Sequence, residues 1–414
     1  MRILWLCNMV PGRVLGDHGR GLWMDHVLDG LLRCGITMHV LGRSSKASAG
    51  VPEDGLSYLA FEEKVAYRYY PALEQVFRRE LEKFQPDVVH IWGTEFGHTL
   101  AMMKACQSLG MLDRTVISIQ GLCAFVPRHH NEGFPDGIIH RYSIRDLIRR
   151  DNLAQQANSY AKRGKLELEA LAMARHVIGR TEWDRACTQQ VSPDAQYHFC
   201  NETMRENFYS GSWNYDSCCK HRIFAPNWLD PSKGFHYLLE AFPEILRSYP
   251  DATIWVTGKS CYPDTWKDRI RLRAHHKYLI HLIDKHGLKD KIYFTGSLSA
   301  DEMKQAFLNS NVYVLPSSIE NSPNTVCESM LLGVPCVSAA VGGLMHMLRH
   351  GEEGFLYQST APYMLSYYVK RVFAMGKEAE KLGLAAQKHA RKTHDSENNL
   401  NVLIAIYKTI IGKE

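Results

Sequence analysis

Val312-Tyr313-Val314-Leu315-Pro316-Ser317-Ser318-Ile319-Glu320-Asn321-Ser322-Pro323-Asn324-Thr325-Val326-Cys327-Glu328 reads as a buried strand that turns into a compact helix start. In that reading Ser322 caps the helix, Pro323 takes its first position, and the amides of Asn324 and Thr325 have no intrahelical partners. Free amides at the positive end of a helix dipole attract phosphate. Glu320 lies before the helix and Glu328 in its second turn, so both carboxylates flank the anion site and can accept hydrogen bonds from the hydroxyls of a phosphorylated sugar. The spacing alone is served equally well by a capped helix with two surface acids.

The same grammar extends along the chain. In the first half, apolar runs at Ile3 to Leu6, Met38 to Leu41, Val88 to Trp92, Val116 to Ile119 and Val177 to Gly179 alternate with helical patterns. The second half repeats it at Ile223 to Ala225, Ile254 to Thr257, Ile292 to Thr295, Val312 to Leu315, Cys336 to Ser338 and Phe355 to Tyr357. Such alternation implies parallel sheets with helices on both faces. The fold class is therefore α/β, with two Rossmann-like doubly wound domains facing an interdomain cleft, since ligands of such sheets bind beyond the carboxyl ends of the strands. The polar stretch from Asn214 to Arg222 reads as the linker. It divides a first domain, 1–218, from a second, 219–380, and helices at 381–414 are free to cross back to the first.

Bulk properties narrow the function. A chain of 414 residues suits two domains, and a formal charge of +5 is too small to argue for a nucleic-acid partner. It suits anionic small molecules or a lipid surface. The eleven cysteines form no CxxC pair and no zinc spacing, which points to reduced cytosolic thiols and a cytoplasmic location. The opening apolar run breaks at Asn8 and Pro11, too early for a signal peptide or a membrane span. Among His275, His276, His281, Asp284 and His286, only His281 and Asp284 share a helical face closely enough to hold one ion, and two ligands are too few, so no metal is expected.

Several single residues stand after strands. The loop from Asn8 to Gly21 carries Gly12, Gly16, Gly19 and Gly21 without the GxGxxG spacing, and no acid ends the second strand, which argues against a dinucleotide. It is either a glycine loop approaching a substrate or a plain connection. Lys233, in Pro231-Ser232-Lys233-Gly234 before the amphipathic helix Phe235 to Arg247, opposes the helix dipole, and so either supplies charge to a bound phosphate or is a plain solvated lysine. Gly296 opens a loop where backbone can approach a flat base. Glu95 can bind or deprotonate a hydroxyl, and Gln120 can donate and accept hydrogen bonds, although each taken alone is more often an ordinary polar loop residue. The arginine-rich stretch Arg128 to Arg163, with Ile139, Tyr142, Ile144, Leu147 and Ile148, is either an interfacial helix face or a solvated one.

Pro-Ser-Lys-Gly-Phe, the Glu-x7-Glu span, Gly333-Val334-Pro335-Cys336-Val337 and Val341-Gly342-Gly343 follow one another in an order that resembles the bacterial glycosyltransferase family 4 of GT-B architecture. Phe84 to His90, Gly93 and Val177 to Thr181 extend the resemblance into the first half. It implies transfer of a sugar, with anomeric retention and no bound metal or cofactor, from a nucleotide-sugar donor (UDP- or GDP-linked) to an acceptor hydroxyl. The acceptor would be a glycan or lipid-linked glycan of a surface polysaccharide, reached through peripheral membrane contact. By the same resemblance Lys233 neutralises the diphosphate and Glu320 holds the donor sugar, making these two the catalytic residues. Ser322, Asn324 and Thr325 receive the phosphates, Glu328 the ribose, Gly296 lies beside the base and Gly19 belongs to the loop over the donor. Two departures stand out: Pro226-Asn227-Trp228-Leu229 lacks the usual arginine, for which Arg180 or Asn227 is the substitute, and Gln120 replaces a histidine, so that it positions sugar without moving protons. A same-fold epimerase and a noncatalytic nucleotide-sugar sensor are the rival readings.

Overall fold

A computed structural model describes residues 1–15, 22–65 and 67–412. Among these, fourteen strands fall into two sheets. The first sheet holds β1 (Arg2–Cys7), β2 (Thr37–Ser44), β3 (Ser48–Glu53), β4 (Leu56–Glu62), β5 (Val88–Trp92), β6 (Thr115–Ser118), β7 (His176–Gly179) and β8 (Gln196–Phe199) in the order β3-β4-β2-β1-β5-β6-β7-β8. Every pairing is parallel except β3 with β4. The second sheet holds β9 (Cys219–Ala225), β10 (Thr253–Val256), β11 (Ile292–Phe294), β12 (Ser310–Leu315), β13 (Cys336–Ala339) and β14 (Phe355–Tyr357), all parallel, in the order β11-β10-β9-β12-β13-β14. That order reverses direction between β9 and β12, the switch point at which such sheets bind ligands. Val312, Tyr313 and Val314 are fully buried in β12, as a strand covered on both faces requires.

The chain forms two compact units: Met1–Phe125 with Tyr160–Met204 and His394–Glu414, and Val126–Ser159 with Arg205–Thr393. These limits differ from breaks at 218/219 and 380/381. The stretch from Asn214 to Arg222 is not a free linker, because Trp213 and Cys218 are buried in the second unit. The Trp213 amide donates to the Leu332 carbonyl at 2.7 Å and its indole to the Ser310 carbonyl at 2.7 Å. Residues 126–159 join that unit by docking on the helix Phe235–Ser248, where His236 donates to the Glu132 carbonyl at 3.0 Å and its ring packs, tilted, against Phe134. The helix Ser396–Ile410 in turn completes the first unit's core. Tyr407 is wholly buried there, its hydroxyl 3.1 Å from the Trp5 indole nitrogen and 2.6 Å from His90 Nδ1. No helix among the described residues is long and apolar enough to cross a membrane.

Candidate functional site

The two loops that leave β9 and β12 carry Lys233 and Glu320, and the switch point sets them side by side. Lys233 Nζ lies 2.6 Å from Glu320 Oε1, which also accepts the Ser317 hydroxyl at 2.7 Å. The loops are fastened to each other by backbone, since the Ser318 amide donates to the Ser232 carbonyl at 2.8 Å. Gly234 lets them close up: it is left-handed, and a β-carbon there would stand 1.9 Å from the Pro316 carbonyl oxygen. On the other flank Gly342, also left-handed, leaves no room for a side chain against the Glu320 carbonyl, 1.9 Å from where a β-carbon would sit, and the Gly343 amide donates to that carbonyl at 3.0 Å. Gly342→Ala must therefore displace Glu320. We expect it to cost about 1–3 kcal/mol in stability, read by chemical denaturation, with loss of whatever activity Glu320 serves.

Beyond Glu320 the chain enters the helix Asn324–Leu332. Ser322 is not its cap. Pro323 holds the capping position without a side-chain bond, and the Val326 amide bonds the Pro323 carbonyl instead. Proline at that position leaves the helix end open, its first amides directed outward at Asn324 and Thr325. Thr325 is oriented by Tyr313, whose hydroxyl donates to Thr325 Oγ1 at 2.6 Å. Glu328 is no surface acid: it is 2% exposed, and Arg205 donates to its Oε1 from Nε at 2.9 Å and Nη2 at 2.6 Å. Its Oε2 is buried without a partner. Burial pushes Glu328 up to about 7 against the pull of Arg205. Gly296 forms a reciprocal backbone bridge with Gly258, amide to carbonyl at 2.9 and 3.0 Å, just past β10 and β11. Space beside it is open.

In the first unit, Gln120 and Arg180 meet through a residue that the sequence did not single out, Glu202. Gln120 donates to Glu202 Oε1 at 2.7 Å, and Arg180 pairs with Glu202 Oε2. Arg180 is 6% exposed and also donates to the Ile119 carbonyl at 3.1 Å, so its charge is matched within this unit. Asn227, the other proposed substitute, turns its carbonyl to the Leu229 amide. Glu95 follows β5, and burial raises its pKa; its Oε2 has no partner. Gly19 lies outside the described residues. A hollow of about 550 Å³ opens at the ends of β1, β2 and β4, lined by Asn8, Arg43, Ser44, Glu63 and Lys64.

A second buried acid, Glu167, sits near Glu95. Thr94 Oγ1 is 2.8 Å from the Gly121 carbonyl and 2.5 Å from Glu167 Oε1. A hydroxyl has one hydrogen, so when Thr94 donates to the Gly121 carbonyl its contact with Glu167 is a hydrogen bond only while Glu167 carries a proton. Burial, the largest influence, raises that carboxyl to about 7. The unfolded acid releases its proton near 4.5, so the stabilising contribution is complete below that pH and is lost as pH rises through 7. Glu167→Gln, which keeps a donor in place, is expected to flatten this decline, worth about 3 kcal/mol, in urea titrations across that window.

Residues 220–389 match the family model described as glycosyl transferases group 1. An uncharacterized glycosyltransferase of Methanocaldococcus jannaschii is 27% identical over 176 residues, 42% of this chain and 42% of that protein. A D-inositol 3-phosphate glycosyltransferase of Acidothermus cellulolyticus is 26% identical over 190 residues, 45% of this chain and 40% of that protein. The chain thus matches less than half the length of these curated relatives. A sucrose-phosphate synthase structure from Thermosynechococcus elongatus aligns over 100% of both chains with a TM-score of 0.72 at 15% identity. Anabaena HepE, solved with UDP, aligns over 99% of this chain and 100% of its own with a TM-score of 0.68 at 15% identity. The shared architecture is the GT-B fold.

Proposed function

We propose, for a chain whose residues 220–389 match the glycosyl transferases group 1 family model, that it moves a sugar from a nucleotide-sugar donor to an acceptor hydroxyl with retention of configuration. The observation that carries the reading is the Lys233–Glu320 pair at the switch point of the second sheet, with the open end of the helix Asn324–Leu332 and buried Glu328 following in the same segment. A lysine ammonium has three hydrogens, enough to serve a carboxylate and a phosphate oxygen together. Lys233 and the amides of Asn324 and Thr325 would stabilise charge on the departing diphosphate, the larger part of the barrier in such a transfer. Glu320 would hold hydroxyls of the transferred hexose. Glu328 Oε2 would accept from the ribose, and the Gly258–Gly296 bridge would lie beside the base. The likeness to HepE, solved with UDP, supports a uridine donor.

Glu95, Gln120 and the polar hollow at β1, β2 and β4 are our candidates for the acceptor's side of the reaction, with a glycan or lipid-linked glycan made in the cytoplasm as the acceptor class. The protein with UDP- and GDP-hexoses and a membrane extract should form a glycoside of the donor's anomeric configuration, read by proton NMR. An isomerised nucleotide sugar formed from donor alone would replace this reading with epimerisation. Tight donor binding without turnover on any acceptor would replace it with sensing.

A further inference from the structure

The donor-site residues leave one conspicuous surface of the second unit unused. The helices Ile144–Arg149 and Trp266–Arg271 pack against each other there. Their surroundings are fixed from within. Asp146, fully buried, closes a capping box with Ser143 and also accepts the Ala274 amide at 2.7 Å. Asp151 draws in Arg145 at 2.7 Å and Arg273 at 3.0 Å. Two acids thus consume the inner arginines.

The outer side is apolar and cationic. Ile144, Leu147 and Ile148 share one face of their helix, and Trp266 and Ile270 one face of theirs. With Tyr142 they are between 38% and 75% exposed, a concentration of large apolar side chains that a monomeric soluble surface seldom carries without a binding role. Arg141, Arg149, Arg150, Lys267, Arg269 and Arg271 are exposed on or beside the same two helices. Asp264 and Asp268 are the acids beside the second helix, and Asp268 is engaged at its start by Thr265. The rim is therefore strongly positive, and a tryptophan and aliphatic side chains ringed by arginine and lysine complement a surface of dense negative charge over hydrocarbon.

We propose that this face docks on an anionic lipid surface, the apolar side chains entering the headgroup region while the cations meet lipid phosphates. Neither the donor nor the transfer step enters into the docking, so a vesicle assay tests it apart from catalysis. In flotation, the full chain is expected to rise with vesicles of phosphatidylcholine and phosphatidylglycerol, to rise far less with phosphatidylcholine alone, and to be released by salt. Arg149→Gln with Arg150→Gln should weaken partitioning by about thirtyfold, from about one unit of charge interaction per cation. Ile148→Ser with Trp266→Ser should abolish it, while the melting temperature and donor binding stay near wild type. Indifference of the wild type to anionic lipid, or equal flotation of both variants, would overturn the proposal. So would self-association or a protein complex lost in the same variants when vesicles are ignored.

Discussion

Lys233→Ala is expected to lower kcat/KM for sugar transfer by about thirtyfold to several thousandfold, the effect of removing a charge partner worth about 2–5 kcal/mol from a bound diphosphate. The loss should appear in kcat as well as KM, because charge on the leaving diphosphate grows toward the transition state. Stability should suffer less. Glu320 keeps the Ser317 hydroxyl at 2.7 Å, and Lys233 is about a third exposed, so water can take over part of its place. Steady-state kinetics beside a thermal melt separates the two. Near-normal turnover in this variant would remove Lys233 from the reaction.

Arg205→Ala should act in the opposite sense, on stability first. Glu328 would then be a buried carboxyl with no cation, and breaking such a pair costs about 3–5 kcal/mol. Since burial already raises Glu328 to about 7, and Arg205 is what holds it down, the variant's carboxyl should keep its proton to higher pH. A folded pKa above the unfolded one gives stability that is complete below about 4.5 and lost as pH rises, so the variant's denaturation midpoint should fall more steeply toward neutral pH than that of wild type. Adding Glu328→Gln to Arg205→Ala should restore much of the loss, and the double-mutant cycle measures the coupling. A variant as stable as wild type at every pH would show that Arg205 does not support Glu328. If Glu328 serves the ribose, donor KM rises in both single variants.

What the sequence made legible was local. Runs such as Val312 to Leu315 announce strands because both faces are buried, and Lys233 and Glu320 announce themselves because they follow such strands. The hairpin of β3 and β4 and the short β8 escaped, since β3 and β8 are the edge strands of the first sheet and are only partly covered: Val51 is 73% exposed, and Gln196 and Phe199 are exposed. Asp54-Gly55 was the turn signal available for the hairpin. Arg205, Glu202 and Glu167 escaped for another reason. Each acquires its meaning from a partner far along the chain, Arg205 from Glu328, Glu202 from Gln120 and Glu167 from Thr94, and no spacing rule reports such pairs. Ser322 failed as a cap because the proline after it took the capping position itself.

The helix around Tyr407 sets an order of events during synthesis. The first unit begins at β1, yet Trp5 and His90 find their buried hydroxyl partner only in a segment translated after the entire second unit. At about 5–20 residues per second the nascent first sheet waits on the order of ten seconds or longer with that cleft in its core unfilled. The second unit, by contrast, can close as soon as Thr393 has emerged. Chaperone capture on the ribosome should therefore fall on the part of the protein that is made first.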